Sequence, residues 1–194
     1  MTDVARAADA IRDGRLVVYP TETVYGLGAD ALDEHAIERV FAAKGRDRSK
    51  PLSLAVPSVA RAREYVVADE LVSRFMDEFL PGPVTVVAEK RDVVPDALTG
   101  GREQVGVRVP DHDLALSLLE RVAPITATSA NVSGNPSVTT PDDLDPAIRD
   151  AAAVVLDGGP TSGTASTVVD VDAGVVHREG PDADAIRAWL SDHR

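Results

Sequence analysis

The chain contains no cysteine, only three lysines (Lys44, Lys50 and Lys90), four histidines and 4% aromatic residues. Without cysteine there can be no disulfide, no thiolate nucleophile and no thiolate-bound zinc. The scattered histidines offer little for a metal cage, so no protein-held metal site is expected. Few aromatics leave little surface on which single-stranded bases could stack. No run approaches the roughly 20 apolar residues that a bilayer demands, and Met1-Thr2-Asp3-Val4-Ala5-Arg6 opens a polar amphipathic pattern rather than a signal peptide. The expectation is a soluble, cytoplasmic protein without a membrane partner.

What is present is acid. Asp and Glu number 32 against 20 Lys and Arg, for a formal net charge of −12. Such a field opposes nonspecific attraction to nucleic acid or an anionic membrane, so any site for a polyanion must be local. The acid-rich, lysine-poor composition is also expected of a surface adapted to high salt, where screening removes self-repulsion. With 194 residues, 44% of them hydrophobic, the chain reads as one domain spanning 1–194.

Strand and helix patterns alternate along it. Val4, Ala7, Ala8 and Ile11 lie at helical spacing up to Gly14, followed by a strand over 16–19. Asp33 is placed to cap a helix carrying Ile37, Val40 and Phe41, ending near Gly45. A strand over 52–56, a helix over 69–80 broken by Pro81-Gly82-Pro83, and a β-branched strand over 84–87 come next. Then follow a strand over 105–109, a helix over 111–122, a strand over 124–127 and a polar loop over 128–140. Thr140 with Pro141 reads as a helix start, and a strand over 153–156, a hairpin of 167–171 with 175–178 and a helix over 182–190 complete the chain. This order predicts a three-layer α/β fold with one mixed sheet, because the hairpin demands antiparallel pairing.

Gly26-Leu-Gly28-Ala-Asp-Ala31 matches the G-x-G-x-x-G/A dinucleotide pattern, but no helix can begin directly after it, so these glycines read as backbone turns. The phosphate loop G-x-x-x-x-G-K-[ST] and the G-x-S-x-G elbow are both absent. More informative is Lys44-Gly-Arg46-Asp-Arg-Ser-Lys50-Pro51, a cationic segment in an acidic chain. It reads either as compensation of a helix C-terminus or as a triphosphate clamp. Thr126 to Gly134, at the C-terminal end of a strand, gathers hydroxyls and an amide where open α/β sheets bind ligands, or else forms an ordinary turn. Ser129 has no neighbouring histidine in sequence and suits hydrogen bonding better than covalent catalysis. Arg108 sits in an apolar strand, where it needs a carboxylate partner, a wet cavity or an edge facing solvent.

Taken together, Tyr19-Pro-Thr-Glu-Thr-Val-Tyr-Gly-Leu-Gly28, Lys44-Gly-Arg46 with Lys50-Pro-Leu52, Leu80-Pro-Gly-Pro-Val-Thr85, Val107-Arg-Val-Pro110 and Thr128-Ser-Ala-Asn-Val-Ser-Gly134 occur in the order and spacing of a known family. The chain resembles the YrdC-like threonylcarbamoyl-adenylate synthases along nearly its whole length. That resemblance implies a twisted open mixed β-sheet flanked by helices around a central cavity holding ATP, magnesium and threonine. It implies condensation of L-threonine, bicarbonate and ATP into threonylcarbamoyl-AMP and pyrophosphate, followed by hand-over to a tRNA threonylcarbamoyl transferase. It further implies that Thr23, Arg108, Ala127 and Ser166 contact threonine, Arg108 through its carboxylate and Ala127 through its backbone. Arg46, Lys50, Gln104, Ser129, Ser137 and Arg178 match nucleotide contacts, and Lys44 and Asn131 complete a catalytic set with Arg46 and Ser129.

The sequence departs from this pattern in two places. Ala55 stands where some members carry a threonine-contacting histidine, and the C-terminal extension of two-domain members is missing after Arg194. Loop closure would then differ or depend on a partner. The alternatives left open are a YrdC-fold paralogue without synthase activity and an RNA-binding or ribosome-assembly module.

Overall fold

The computed structural model describes residues 3–193. Met1, Thr2 and Arg194, on which the readings of the two termini bear, lie outside the described residues.

The elements run α1 (Asp3–Arg12), β1 (Leu16–Tyr19), β2 (Gly26–Gly28), α2 (Glu34–Lys44), β3 (Ser53–Ala55), α3 (Val59–Ala62), α4 (Glu70–Phe79), β4 (Val84–Glu89), α5 (Asp96–Thr99), β5 (Gln104–Arg108) and α6 (Asp113–Leu119). They continue with β6 (Ile125–Ala127), a 3₁₀ turn (Pro141–Asp143), α7 (Pro146–Ala151), β7 (Ala152–Val155), β8 (Thr167–Asp170), β9 (Val175–Arg178) and α8 (Ala183–His193). The cap read at Asp33 operates, and Asp69, where the helical pattern begins, adds a second. Asp33 accepts from the His35 amide and Asp69 from the Val72 amide, each meeting one orphan donor of a first turn.

The strands form two open sheets rather than one, a three-stranded sheet in the order β2-β1-β7 and a six-stranded sheet in the order β6-β3-β5-β4-β8-β9. Both are mixed: β7 runs parallel to β1 while β2 runs antiparallel, and the β8/β9 hairpin is antiparallel beside a parallel β4/β8 pair. Bridges between Gly26 and Ser129 and between Asp30 and Ile125 tie the sheets together. The sequence predicts one mixed sheet; the strands divide into two because β1 pairs with β2 and β7 and with no strand of the larger sheet, and β2 is itself a strand that the sequence does not announce. Its glycines are extended and make no turn; they are required by the Tyr19 ring, since a Cβ on Gly26 would lie 2.8 Å from Tyr19 Cζ.

Two further boundaries differ from the sequence reading. Pro141 opens only a 3₁₀ turn, with the Thr140 hydroxyl donating to Asp143 instead of capping an amide. The α-helix starts at Pro146 under an Asp145 cap. The helix expected over 111–122 is shorter, with the His112 ring accepting from the Leu114 amide. The short helices α3 and α5 were not anticipated.

Alternation along the central strands separates core from cavity. Leu54, Val86, Val107 and Val169 point into the main core with Phe41, Phe75 and Met76. A smaller core joins α1 and α6 through Ala7, Ala8, Ile11, Leu118 and Leu119, with Val17 and Tyr19 of β1. Each fully buried Leu, Val or Phe side chain contributes roughly 1.5–3 kcal/mol. Trp189 of α8 packs edge-on against Phe75 of α4, ring centroids 5.1 Å apart, which fastens the last helix to the body of the fold.

Candidate active site

The opposite face of the six-stranded sheet floors a cavity of about 520 Å³. Its floor is the other parity of the same strands: Ser53 and Ala55 on β3, Thr85 and Val87 on β4, Gln104, Gly106 and Arg108 on β5, and Val168 and Asp170 of β8. Gly106 leaves bare backbone in the middle, where a Cβ would meet Ser53 Oγ at 2.3 Å and Thr85 Cγ2 at 3.0 Å. The walls come from the segment joining β1 to β2, from the stretch after α2, from the loop after β6 and from β9. Arg46, Arg102, Arg108 and Arg178 reach this cavity, and Asp170 is the only carboxylate residue among its described lining residues. In a chain of net charge −12, the cavity concentrates positive charge.

Of the residues singled out from sequence, Arg46, Gln104, Arg108, Ala127, Ser129, Ser137, Ser166 and Arg178 line the cavity. Thr23, Lys44, Lys50 and Asn131 do not. Arg108 is 8% exposed and lies on an interior strand between β3 and β4, so the solvent-facing edge reading is excluded. Its Nη2 donates to Thr23 Oγ1 at 2.8 Å and sits 2.9 Å from Glu22 Oε1. Thr23 therefore stands one step behind the cavity, orienting the arginine. Arg178 donates through Nε to the Ser166 carbonyl at 2.8 Å and through Nη2 to Ser166 Oγ at 2.9 Å, and Ser166 Oγ also meets Thr85 Oγ1 at 3.0 Å. Burial, and then the Arg108 charge, holds the Arg178 pKa below its ordinary value. An anion placed beside Arg178 would relieve that burden.

The cationic segment after α2 divides into four different roles. Lys44 is 1% exposed, and its ammonium donates to the carbonyls of Ser129 and Asn131, turning away from the cavity. Burial, then the Arg46 charge, pulls its pKa down to about 8. Arg46 faces the cavity while Nε and Nη2 hold the carbonyls of Lys50 and Pro51 at 3.1 and 3.0 Å. Arg48 pairs with Glu38 on the surface, and Lys50 is exposed. Only Arg46 of the expected clamp lines the cavity; Gly45, with a left-handed φ of 55° at the helix end, parts its direction from that of Lys44.

The loop after β6 is anchored on several sides. Leu27 N donates to Thr128 O, Ala130 N to Tyr25 O and Ser133 N to Lys44 O. Asn131 Nδ2 donates to the carbonyls of Val132 and Asn135 at 2.9 and 2.8 Å, which makes this side chain a loop fastener. Ser129 is thereby presented on a fixed wall.

Sequence reading missed Tyr19, Ser53, Thr85, Arg102, Asp170 and His177 as cavity residues. Stepping by two from Arg108 or Thr85 along the predicted strands would have found part of this floor. Tyr19 is fully buried and its phenol is pushed up to about 12, chiefly by burial, with Arg108 pulling it down and Glu22 pushing it up. Both charges are thus felt at the cavity wall. The Asp170 oxygens are already engaged, Oδ1 by the Ala173 amide and Oδ2 by Gln104 Nε2.

Comparison with known proteins gives a consistent neighbourhood. A family model named for Sua5, YciO and YrdC, and described as "Telomere recombination", matches residues 9–180. A threonylcarbamoyl-AMP synthase of Pyrococcus abyssi is 44% identical over 171 residues, covering 85% of this chain and 49% of that protein. One of Bacillus subtilis is 39% identical over 170 residues, covering 86% and 49%. The crystal structure of P. abyssi Sua5 complexed with L-threonine superposes with a TM-score of 0.90 at 38% identity, over 100% of this chain and 59% of that one. The chain thus spans about half the length of these curated relatives.

Proposed function

The chain belongs to the Sua5, YciO and YrdC family, and from that membership we propose that it is an L-threonylcarbamoyladenylate synthase, a nucleotidyltransferase that supplies the activated group for threonylcarbamoyladenosine in tRNA. The observation that carries this reading is the convergence of Arg46, Arg108 and Arg178 on one cavity of an otherwise strongly acidic protein. Its volume of about 520 Å³ falls within the ordinary range for small-molecule sites.

The chemistry asks little covalent help of a protein. Threonine's amine captures bicarbonate as a carbamate with loss of water; a carbamate oxygen then attacks the α-phosphorus of ATP, and pyrophosphate leaves. The carbamate, the phosphates and the leaving group are all anionic, so the enzyme's task is to neutralise charge and align nucleophile with leaving group. In this reading Arg108 takes the threonine carboxylate, with Thr23 holding the guanidinium in place. Ser166 offers its hydroxyl beside Arg178, and Ala127 its backbone. Arg46, Arg178, Ser129, Ser137 and Gln104 serve the nucleotide; Lys50 would join them from the rim, while Lys44 and Asn131 act by fixing the wall that carries Ser129.

Magnesium enters with the nucleotide. Among the described residues no group of three or more His, Asp or Glu is arranged to hold a metal, and Asp170 has both oxygens engaged. The product would pass to a tRNA threonylcarbamoyl transferase in the cytoplasm, this chain itself binding tRNA weakly or not at all. No described helix is long and apolar enough to cross a membrane.

Carbon-13 bicarbonate tests the reading. Mass spectrometry should find a threonine-containing adenylate that carries one labelled carbon. An unlabelled threonyl-adenylate, or no adenylate, would overturn it.

A further inference from the structure

Gln104 and Asp170 meet on the cavity floor at the end away from Arg108. Gln104 opens β5 and Arg108 closes it, which sets the two positions roughly 13 Å apart along the strand. Gln104 Nε2 donates to Asp170 Oδ2 at 2.9 Å, and the Ala173 amide donates to Asp170 Oδ1 at 2.8 Å in the turn between β8 and β9. Asp170 is 6% exposed, so its carboxylate is a fixed acceptor. Gln104 Oε1 makes no hydrogen bond with any described group.

A side-chain amide can ordinarily present either end, because a half-turn exchanges its oxygen and its nitrogen. Here the half-turn would set Oε1 against Asp170 Oδ2, two acceptors with no proton between them. The amide is therefore locked with Nε2 towards Asp170. It keeps one carbonyl acceptor and one spare N–H for the cavity that Gln104 lines.

That edge matches a purine with an amino group at C6: the oxygen accepts from the amine while the N–H donates to N7. A purine with oxygen at C6 presents acceptors at both places, and a locked amide cannot turn to meet it. The base, and not the triphosphate, is the part of a nucleotide that suits this end. Asp170 is the only carboxylate residue among the described lining residues, so it drives phosphates towards the guanidiniums and leaves an uncharged base undisturbed.

We propose that Asp170 is a positioning residue that locks the Gln104 amide, so that the site reads the 6-amino group of ATP and rejects 6-oxopurine nucleotides. The assignment rests on the ATP half of the proposed function. Calorimetric titration of the full chain, in magnesium and without threonine, tests it by comparing ATP with ITP, whose purine carries oxygen at C6.

The wild type should bind ATP roughly tenfold or more tightly than ITP. In Asp170→Asn the Ala173 amide holds Oδ1 as before, and the new Nδ2 stands where Oδ2 was and donates to Gln104 Oε1. The amide then turns over, and ITP should gain on ATP at least to parity. Gln104→Met leaves the Asp170 bond to Ala173 intact and should bring the two affinities within about twofold. Equal affinity of the wild type for both nucleotides overturns the assignment, as does a preference that survives in Gln104→Met. An Asp170→Asn protein in which both nucleotides weaken by the same factor also overturns it, since Asp170 would then only hold the hairpin. A wild type that binds neither nucleotide overturns the ATP half of the proposed function together with this assignment, whereas binding without preference overturns the assignment alone.

Discussion

The ammonium of Lys44 donates a 2.6 Å hydrogen bond to the carbonyl of Asn131 and a second bond to the carbonyl of Ser129. The end of α2 is thereby bolted to the wall that presents Ser129 to the cavity. Lys44→Met would leave two carbonyls without that donor. We predict a loss of roughly 2–4 kcal/mol in chemical denaturation and a raised KM for ATP. Unchanged stability would show that the ammonium does not brace this loop.

The same residue gives a signed pH dependence. Lys44 titrates at about 8 when folded, against an ordinary lysine value of 10.5. Between these values the unfolded chain holds the extra proton, so Lys44's contribution to stability should rise with pH across that window and level off above it. We predict that the wild type gains stability relative to Lys44→Met between pH 8 and 10.5. Parallel pH profiles for the two proteins would contradict the lowered value.

Arg46 and Arg108 should separate kinetically. Arg46→Ala should chiefly raise the KM for ATP, and Arg108→Ala the KM for threonine. Arg108→Ala also leaves Glu22 mostly buried without its cation, at a cost of about 3–5 kcal/mol, whereas Arg108→Met with Glu22→Gln should cost less than the single Arg108 change. Equal losses in both substrate constants for both single variants would contradict the assigned roles.

Gly106 is the bare centre of the cavity floor, and a Cβ there would lie 2.3 Å from Ser53 Oγ. Gly106→Ala should cost about 1–3 kcal/mol, and adding Ser53→Ala should recover part of the loss, as measured by thermal unfolding. Additive losses would show that the conflict lies elsewhere.

What could be read in the sequence was what periodicity and caps encode. Asp33 and Asp69 announced helix starts, and the β-branched runs announced β4, β5 and the β8/β9 hairpin. β2 escaped because Gly-Leu-Gly has a single side chain from which to read an alternation; its glycines are explained by Tyr19, a contact visible only in three dimensions. The sequence left Arg108 a carboxylate partner, a wet cavity or a solvent-facing edge, and could not name Glu22, which lies 86 positions away and meets it only when the chain folds. Lys44 and Arg46 look like one clamp along the chain. A left-handed turn at Gly45 sends one inward and the other to the cavity.

The measurement to make is pyrophosphate release from ATP and magnesium in bicarbonate buffer, with and without L-threonine, in dilute buffer and in molar KCl. The acid-rich, lysine-poor composition predicts higher activity and a higher melting temperature in the salt, where self-repulsion is screened. Release that depends on both threonine and bicarbonate is the predicted result. No release at either salt, or release indifferent to threonine, would contradict the synthase reading.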